Sequence, residues 1–163
     1  MKIVCLTSNG YVNCIEPFAH YWNRFAGSDR RVTVVGYDVA PAALPDNFDW
    51  LSLGRQADFT WSSGLLKALD LVHDDVVMLL LEDYFLSERV DWPLIDECAD
   101  LMRWRTEILK IDLSDDRLKH PYRLHRPLNN GRLIENADDA PFQTSVQAAL
   151  WKTELLRRFL RAD

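Results

Sequence analysis

Short runs of apolar residues alternate, over the first two-thirds of the chain, with stretches in which apolar residues recur every three or four positions. Residues 2–6, 31–38 and 76–81 form the runs, and the last is apolar throughout, as in a strand covered on both faces. Residues 15–26 and 61–72 carry the helical period. Strands that alternate with helices predict an α/β fold with a largely parallel sheet between two helical layers.

Shorter signals complete this prediction. The remaining predicted elements are a short strand at 50–53, a helix capped by Asp91 that begins at Trp92, a strand at 107–113, a hairpin of 122–126 with 132–135, a strand at 146–151 and a terminal helix capped by Thr153. The hairpin prediction depends on the pair Asn130-Gly131, which favours a tight turn. The predicted fold class is therefore a three-layer α/β/α arrangement with a mainly parallel sheet plus a late antiparallel hairpin.

Length and composition fit one domain over residues 1–163. The chain is 48% hydrophobic, which supplies a sizeable core and excludes a disordered or coiled-coil protein. It has 25 acidic against 19 basic residues and no polybasic run, which argues against a general binder of nucleic acid or of anionic membranes. The longest apolar run, residues 76–81, is too short for a transmembrane segment, and the N-terminus has no signal-peptide pattern.

The cysteines and the common catalytic motifs narrow the chemistry further. Cys5, Cys14 and Cys98 form no C-x-x-C pair, and an odd number leaves one over from any disulfide scheme. We therefore expect a reduced, cytoplasmic protein whose cysteines are small core residues, with a redox or metal role as the alternative. The sequence contains no G-x-S-x-G, P-loop or G-x-G-x-x-G motif, so acyl transfer, nucleotide hydrolysis and hydride transfer have no motif support.

Polar residues follow the predicted strands at the edge where parallel sheets bind ligands. Residues 7–9, Asp38 and the pair Glu82-Asp83 all lie at such strand ends. Two adjacent carboxylates at the end of a buried strand are costly unless a cation lies beside them, and Mg²⁺ or Mn²⁺ takes oxygen ligands of this kind. The alternative is that the pair only begins a loop, with Asp83 capping a turn and Glu82 paired to an arginine.

Two segments carry a resemblance to a known family. Residues 76–86, which end Glu82-Asp83-Tyr84-Phe85-Leu86, and residues 145–152 together resemble a group of small bacterial glycosyltransferases with a GT-A (nucleotide-diphospho-sugar transferase) fold. In that fold the equivalent strand ends in an acidic D-x-D-type motif that binds a metal and the donor's diphosphate. Because the second acid of that motif is missing or shifted here, the resemblance implies Asp83 as the ligand of Mg²⁺ or Mn²⁺.

The resemblance also implies a site for a nucleotide-sugar donor. Carried over by position, that site comprises Thr7, Ser8 and Asn9 at the base and ribose, Asp38 at the uracil or ribose, Arg55 and Trp61 in the segment that holds the nucleotide, and Glu82 beside the metal. Each residue also has a structural interpretation. Ser8 and Asn9 could simply form a turn, Asp38 could be an acidic residue of a loop, and Trp61 could be a core residue.

Three functions remain open from the sequence. The first is metal-assisted transfer of a sugar from a nucleotide-sugar to a saccharide or lipid-linked acceptor, with Asp138 or Asp139 as the general base. Because GT-A domains usually continue beyond the equivalent of Asp163, we expect binding with poor transfer, and self-association to supply a missing wall. The second is a non-catalytic nucleotide-sugar-binding module. The third is a receiver-like signalling domain with Asp83 as phosphoacceptor and Lys110 as its partner.

Overall fold

The computed structural model describes residues 1–114, 124–128, 131–137, 141 and 143–161, with the backbone alone for 124–128. The strands are β1 (Lys2–Leu6), β2 (Val32–Gly36), β3 (Phe48–Ser52), β4 (Val76–Leu81), β5 (Lys110–Asp112), β6 (Leu124–Leu128), β7 (Leu133–Asn136) and β8 (Ala149–Lys152). The helices are α1 (Ile15–Phe25), α2 (Trp61–Leu71), α3 (Trp92–Trp104) and α4 (Thr153–Phe159). Short 3₁₀ turns occupy Val12–Cys14 and Gln56–Asp58.

Six strands form the main sheet in the order β3-β2-β1-β4-β8-β5. β1 to β4 run parallel, whereas β8 is antiparallel to both β4 and β5. β6 and β7 form a separate antiparallel pair. The predicted fold class, a mainly parallel α/β sheet with a late antiparallel hairpin, is confirmed.

Helices cover both faces of the main sheet. On one face α1 and α3 bury Phe18, Trp22 and Met102 against alternate residues of β1, β2 and β4. On the other face α2 and α4 bury Leu69 and Leu156 against the intervening residues. The alternation places apolar side chains on both faces of β4, which explains why residues 76–81 are apolar throughout.

Polar side chains cap the first turn of α3, as predicted, and the first turn of α2. The Asp91 carboxylate accepts a hydrogen bond from the Leu94 N–H at 3.1 Å and caps α3. The Thr60 hydroxyl caps α2 by accepting a hydrogen bond from the Ser63 N–H, and the Ser63 hydroxyl in turn accepts one from the Thr60 N–H. Among the described residues no helix is long and apolar enough to cross a membrane.

Thr153 does not cap the terminal helix, which corrects the sequence prediction. The chain passes from β8 directly into α4, so Thr153 is the first helical residue and its N–H donates to the Asp75 carbonyl at 3.0 Å. Its buried hydroxyl has no hydrogen-bond partner in the described part of the chain. The predicted short strand at 50–53 is also displaced, because β3 begins at Phe48.

The hairpin is attached to the rest of the fold beside α3. Arg132, which precedes β7, forms an ion pair with Glu97 of α3 at 2.5 Å and lies 3.9 Å from Asp91. Leu133 of β7 packs against the core that α1 and α3 share. The hairpin therefore forms a wall on the α1 and α3 side of the main sheet.

Gly36, the last residue of β2, provides the first testable prediction. A Cβ at this buried position would lie 2.1 Å from Cη2 of Trp50 and 3.0 Å from Cγ2 of Thr7. Gly36→Ala should therefore lower the free energy of unfolding by about 1–3 kcal/mol through overpacking. Chemical denaturation measures the change.

Gly10→Ala is the matched control, because a Cβ there would have only the Ser8 hydroxyl within 4 Å, at 3.9 Å. Its stability should stay close to that of the wild type. Equal stability of the two variants would contradict the close approach of the Trp50 ring to the backbone of Gly36.

Candidate functional site

The carboxyl ends of β1, β2 and β4 and the first turns of α2 surround a cavity of about 380 Å³. Four apolar side chains among its lining residues come from these elements: Leu6, Val35, Leu65 and Leu81. The volume lies within the range of small-molecule sites. We call it the strand-end cavity.

Two carboxylates lie at one end of the strand-end cavity. The Tyr84 N–H donates to the Leu81 carbonyl at 3.3 Å, so Glu82 and Asp83 occupy the centre of a turn directly after β4. Leu6 pairs with Leu81, which places the following residues, Thr7 and Glu82, side by side. The turn thus presents both acids at the edge of the sheet, with Asp83 exposed and Glu82 only 7% exposed.

Burial is the main reason why the pKa of Glu82 is raised above its ordinary value. A backbone hydrogen bond lowers this pKa in part, and repulsion from Asp83 raises it further. Among the described residues Glu82 forms no ion pair with an arginine, the partner that the alternative interpretation required, and the neighbouring Thr7 hydroxyl donates to the Ser8 carbonyl at 3.3 Å. The buried Cys5 thiol, whose pKa is raised by burial and then by Glu82 and Asp83, is protonated and acts as a core residue.

Aromatic side chains line the opposite end of the strand-end cavity. Tyr37 and Phe59 lie with ring centroids 5.9 Å apart, while Tyr11 and Trp61 are 59% and 50% exposed at the mouth. Gly64 of α2 permits this arrangement, because a Cβ there would lie 2.3 Å from the Tyr37 hydroxyl. This end suits a planar ring that stacks on aromatic faces.

A hydrogen-bond network joins three loops at the rim of the strand-end cavity. The Asp38 carboxylate accepts bonds from the Asn9 side-chain amide at 2.7 Å and from the Gln56 N–H at 3.0 Å. The Asn9 N–H donates to the Gln56 side-chain oxygen at 2.7 Å, and the Asn9 side-chain oxygen accepts from the Val39 N–H at 3.2 Å. These bonds fix the loops after β1 and β2 against the 3₁₀ turn at Gln56–Asp58.

The structure brings together five of the eight described residues that the sequence selected. Thr7, Ser8, Trp61, Glu82 and Asp83 line the strand-end cavity, whereas Asn9, Asp38 and Arg55 are not among its lining residues. Arg55 instead forms an ion pair with Asp58 at 2.6 Å. The predicted catalytic residues Asp138 and Asp139 lie outside the described residues.

The lining residues Tyr11 and Tyr37 were missed by the sequence analysis, and Gln56 and Phe59 lie in the segment 54–61 that was expected to hold the nucleotide but were not selected individually. Each belongs to a loop or strand end that the pattern did identify. An aromatic residue beside each strand-end loop was the available signal, but the sequence does not reveal which of these rings face one another.

A second, larger cavity of about 1080 Å³ lies on the α1 and α3 side of the sheet. It borders the turn after β4, since its lining includes Tyr84 and Phe85, and it extends past Trp92 to Leu133 of the hairpin. The acidic turn therefore stands between two cavities. We call this second space the hairpin cavity.

The charge of the strand-end cavity limits what it can bind. Its described lining residues include two carboxylates and no lysine or arginine. In the described part of the chain no group of three or more histidine, cysteine, aspartate or glutamate side chains could hold a metal by itself. A cation at Asp83 would therefore need further oxygen ligands, which Mg²⁺ commonly takes from water and substrate phosphates.

No protein-family model and no curated protein matches the sequence. Similar solved structures include CMP:2-keto-3-deoxy-manno-octonic acid synthetase complexed with CTP, with a TM-score of 0.48, 11% identity, and coverage of 97% of this chain and 76% of that one. Galactosyltransferase LgtC in complex with donor and acceptor sugar analogs gives a TM-score of 0.46 at 15% identity, with coverage of 97% and 60%.

The glycosyltransferase GlyE of Streptococcus pneumoniae gives a TM-score of 0.46 at 14% identity, with coverage of 97% of this chain and 36% of that one. The chain thus spans less than two-thirds of the length of both glycosyltransferases.

The rim network gives a pH-dependent prediction. Bonds from the Asn9 side chain and then from the Gln56 N–H hold the pKa of Asp38 below its ordinary value. A depressed pKa stabilises the fold above the unfolded pKa of about 3.9, and this stabilisation is lost as the pH falls through the folded value. Asp38→Asn should therefore lower the melting temperature at pH 7, and the difference from wild type should shrink below about pH 4.

Asn9→Ala provides the matched background, because it removes the first of the two donors. In that background the effect of Asp38→Asn at pH 7 should be smaller. A difference in melting temperature that is the same at pH 7 and pH 3 would contradict the role given to this network.

Proposed function

We propose that the chain binds a nucleotide-sugar in the strand-end cavity and transfers its sugar with the help of a divalent cation held at Asp83. The observation that carries the proposal is the polarity of the cavity, which has aromatic walls at one end and two carboxylates at the other. A nucleotide-sugar has a matching order of groups: a planar base, a ribose and a diphosphate that binds cations.

The length of the cavity supports a ligand of this kind. Leu53 follows β3, Tyr37 follows β2, Thr7 follows β1 and Glu82 follows β4. Neighbouring strands are about 4.8 Å apart, so Tyr37 after β2 is about 10 Å, and Leu53 after β3 about 14 Å, from the end of β4. A bound molecule that reaches from the aromatic end to the acidic end must be elongated, with its ring and its charged group far apart.

Electrostatics support a divalent cation in this proposal. A diphosphate beside Glu82 and Asp83 would be repelled, and the described lining residues supply no basic side chain to offset that repulsion. Mg²⁺ or Mn²⁺, when bound, would neutralise the diphosphate and favour its departure as a leaving group. Asp83 is the better ligand, because it is exposed, whereas Glu82 is buried and its raised pKa disfavours the charged form that a cation needs.

The hairpin cavity favours transfer over simple binding. It begins beside Asp83 at Tyr84 and Phe85, so an acceptor bound there would approach the donor across the acidic turn. In the proposed reaction an acceptor hydroxyl forms the new bond to the sugar's anomeric carbon and the bond to the diphosphate breaks. A carboxylate takes the hydroxyl proton, and Asp138 and Asp139 remain the predicted general bases.

The receiver-like alternative has less support. Lys110 is paired with Trp151, which in turn pairs with Val77, so Lys110 is level with the start of β4 and about 13 Å along the strand direction from Leu81, where β4 ends and the turn with Asp83 begins. Its ammonium group lies 2.5 Å from Asp112 and donates to the Ser145 hydroxyl at 3.1 Å. Lys110 is thus far from a phosphoryl group at Asp83. A non-catalytic nucleotide-sugar-binding module remains the second candidate.

Asp83→Asn tests the proposal directly. We expect the wild type to gain about 2.7 kcal/mol in stability from a nucleotide-sugar at 100 times its dissociation constant in the presence of Mn²⁺. The variant should lose the Mn²⁺-dependent part of this thermal shift. The free variant should melt at the same temperature as the wild type or above it, because an exposed charge beside Glu82 has been removed.

Asp29→Asn is the control, since it removes an exposed carboxylate outside both cavities. Its thermal shift should equal that of the wild type. Loss of folding in Asp83→Asn would mean that Asp83 is a structural residue of the turn. Binding without measurable turnover on a mixed set of saccharide and lipid-linked acceptors would favour the non-catalytic module.

A further inference from the structure

Gln56 presents an oriented amide to the aromatic end of the strand-end cavity. Its side-chain oxygen accepts the Asn9 N–H at 2.7 Å. Because only the oxygen of an amide can accept such a bond, the contact fixes which way the amide is turned. The amide nitrogen, which carries two N–H donors, is the part of this lining side chain that can donate to a ligand.

The backbone of Gln56 is held as firmly as its side chain. The Gln56 N–H donates to the Asp38 carboxylate at 3.0 Å, and the same carboxylate accepts from the Asn9 amide. Phe59 closes this turn by donating its N–H to the Gln56 carbonyl at 3.1 Å, which places its ring beside Tyr37. The amide is therefore preorganised next to the rings on which a planar group would stack.

We propose that Gln56 determines which nucleobase the cavity accepts, by donating to an exocyclic carbonyl at the position where cytosine and adenine carry an amino group. This inference rests on the proposed function, because it assumes that a nucleotide occupies the cavity. An oxo group accepts a hydrogen bond from the Gln56 amide N–H. An amino group at the same position is itself a donor, so it would face the Gln56 N–H donors and neither group would have a partner there.

Matched pairs of nucleotides test this contact. UDP and CDP differ at C4, which carries an oxo or an amino group, and with it at N3, which bears a proton in uracil and a lone pair in cytosine. IDP and ADP differ in the same way at C6 and N1 of a purine. In calorimetric titration with Mn²⁺, we expect the oxo member to bind on the order of tenfold more tightly in each ring class that binds.

Gln56→Glu reverses the polarity of the contact. One carboxylate oxygen can still accept the Asn9 N–H, while the other offers the base an acceptor in place of a donor. The oxo-to-amino affinity ratio should fall by at least about tenfold and favour the amino member. Gln56→Leu, which has no polar group, should bring the ratio close to one and serves if the glutamate variant does not fold.

Asn13→Asp is the control for charge. It makes the same amide-to-carboxylate change at an exposed position near Tyr11 that does not line the cavity, so its affinity ratio should equal that of the wild type. Equal binding of both members of a pair by the wild type, or an unchanged ratio in Gln56→Glu, would overturn the inference and leave the proposed function standing. Failure of all four nucleotides to bind would overturn the proposed function itself.

Discussion

The parallel alignment of β2, β1 and β4 is the constraint on which the site depends. Leu6 pairs with both Val35 and Leu81, so the next residues of the three strands, Gly36, Thr7 and Glu82, arrive at the same level of the sheet. Because β1 is covered by a neighbour on each side, this register cannot shift without moving apolar residues out of the core. The position of the acidic turn is therefore fixed by the packing of these three strands in the core.

Loop contacts then convert an aligned sheet edge into a shaped cavity. Asn9, Asp38 and Gln56 satisfy one another across three loops, so the rim is held by local hydrogen bonds rather than by the core. On the opposite wall, the absence of a side chain at Gly64 lets Tyr37 approach α2. A glycine within a helix is usually unfavourable by about 1 kcal/mol relative to alanine, and this close approach gives a physical reason for it.

The sequence predicted the elements better than it predicted the contacts between loops. Apolar periodicity located β1, β4, α1 and α2, because each buries a face that the chain must specify residue by residue. The acidic pair was also recognisable, since two carboxylates after a wholly apolar strand are unusual. The partnership of Gln56 with Asn9 spans 47 positions, and no local pattern encodes it. Thr153 was misassigned because a threonine before a helical stretch resembles a cap even when the strand runs directly into the helix.

The acidity of the strand-end cavity would make the binding of the proposed nucleotide depend on the binding of the proposed cation. Glu82 is already buried with a raised pKa, and a bare diphosphate would add negative charge beside it. In the proposed site a divalent cation at Asp83 would remove that repulsion, so each ligand would raise the affinity of the other. Linkage requires that the two enhancements be equal in free energy. An acidic site without basic residues in its described lining is thus suited to recognise a nucleotide and a cation as one unit, rather than either of them alone.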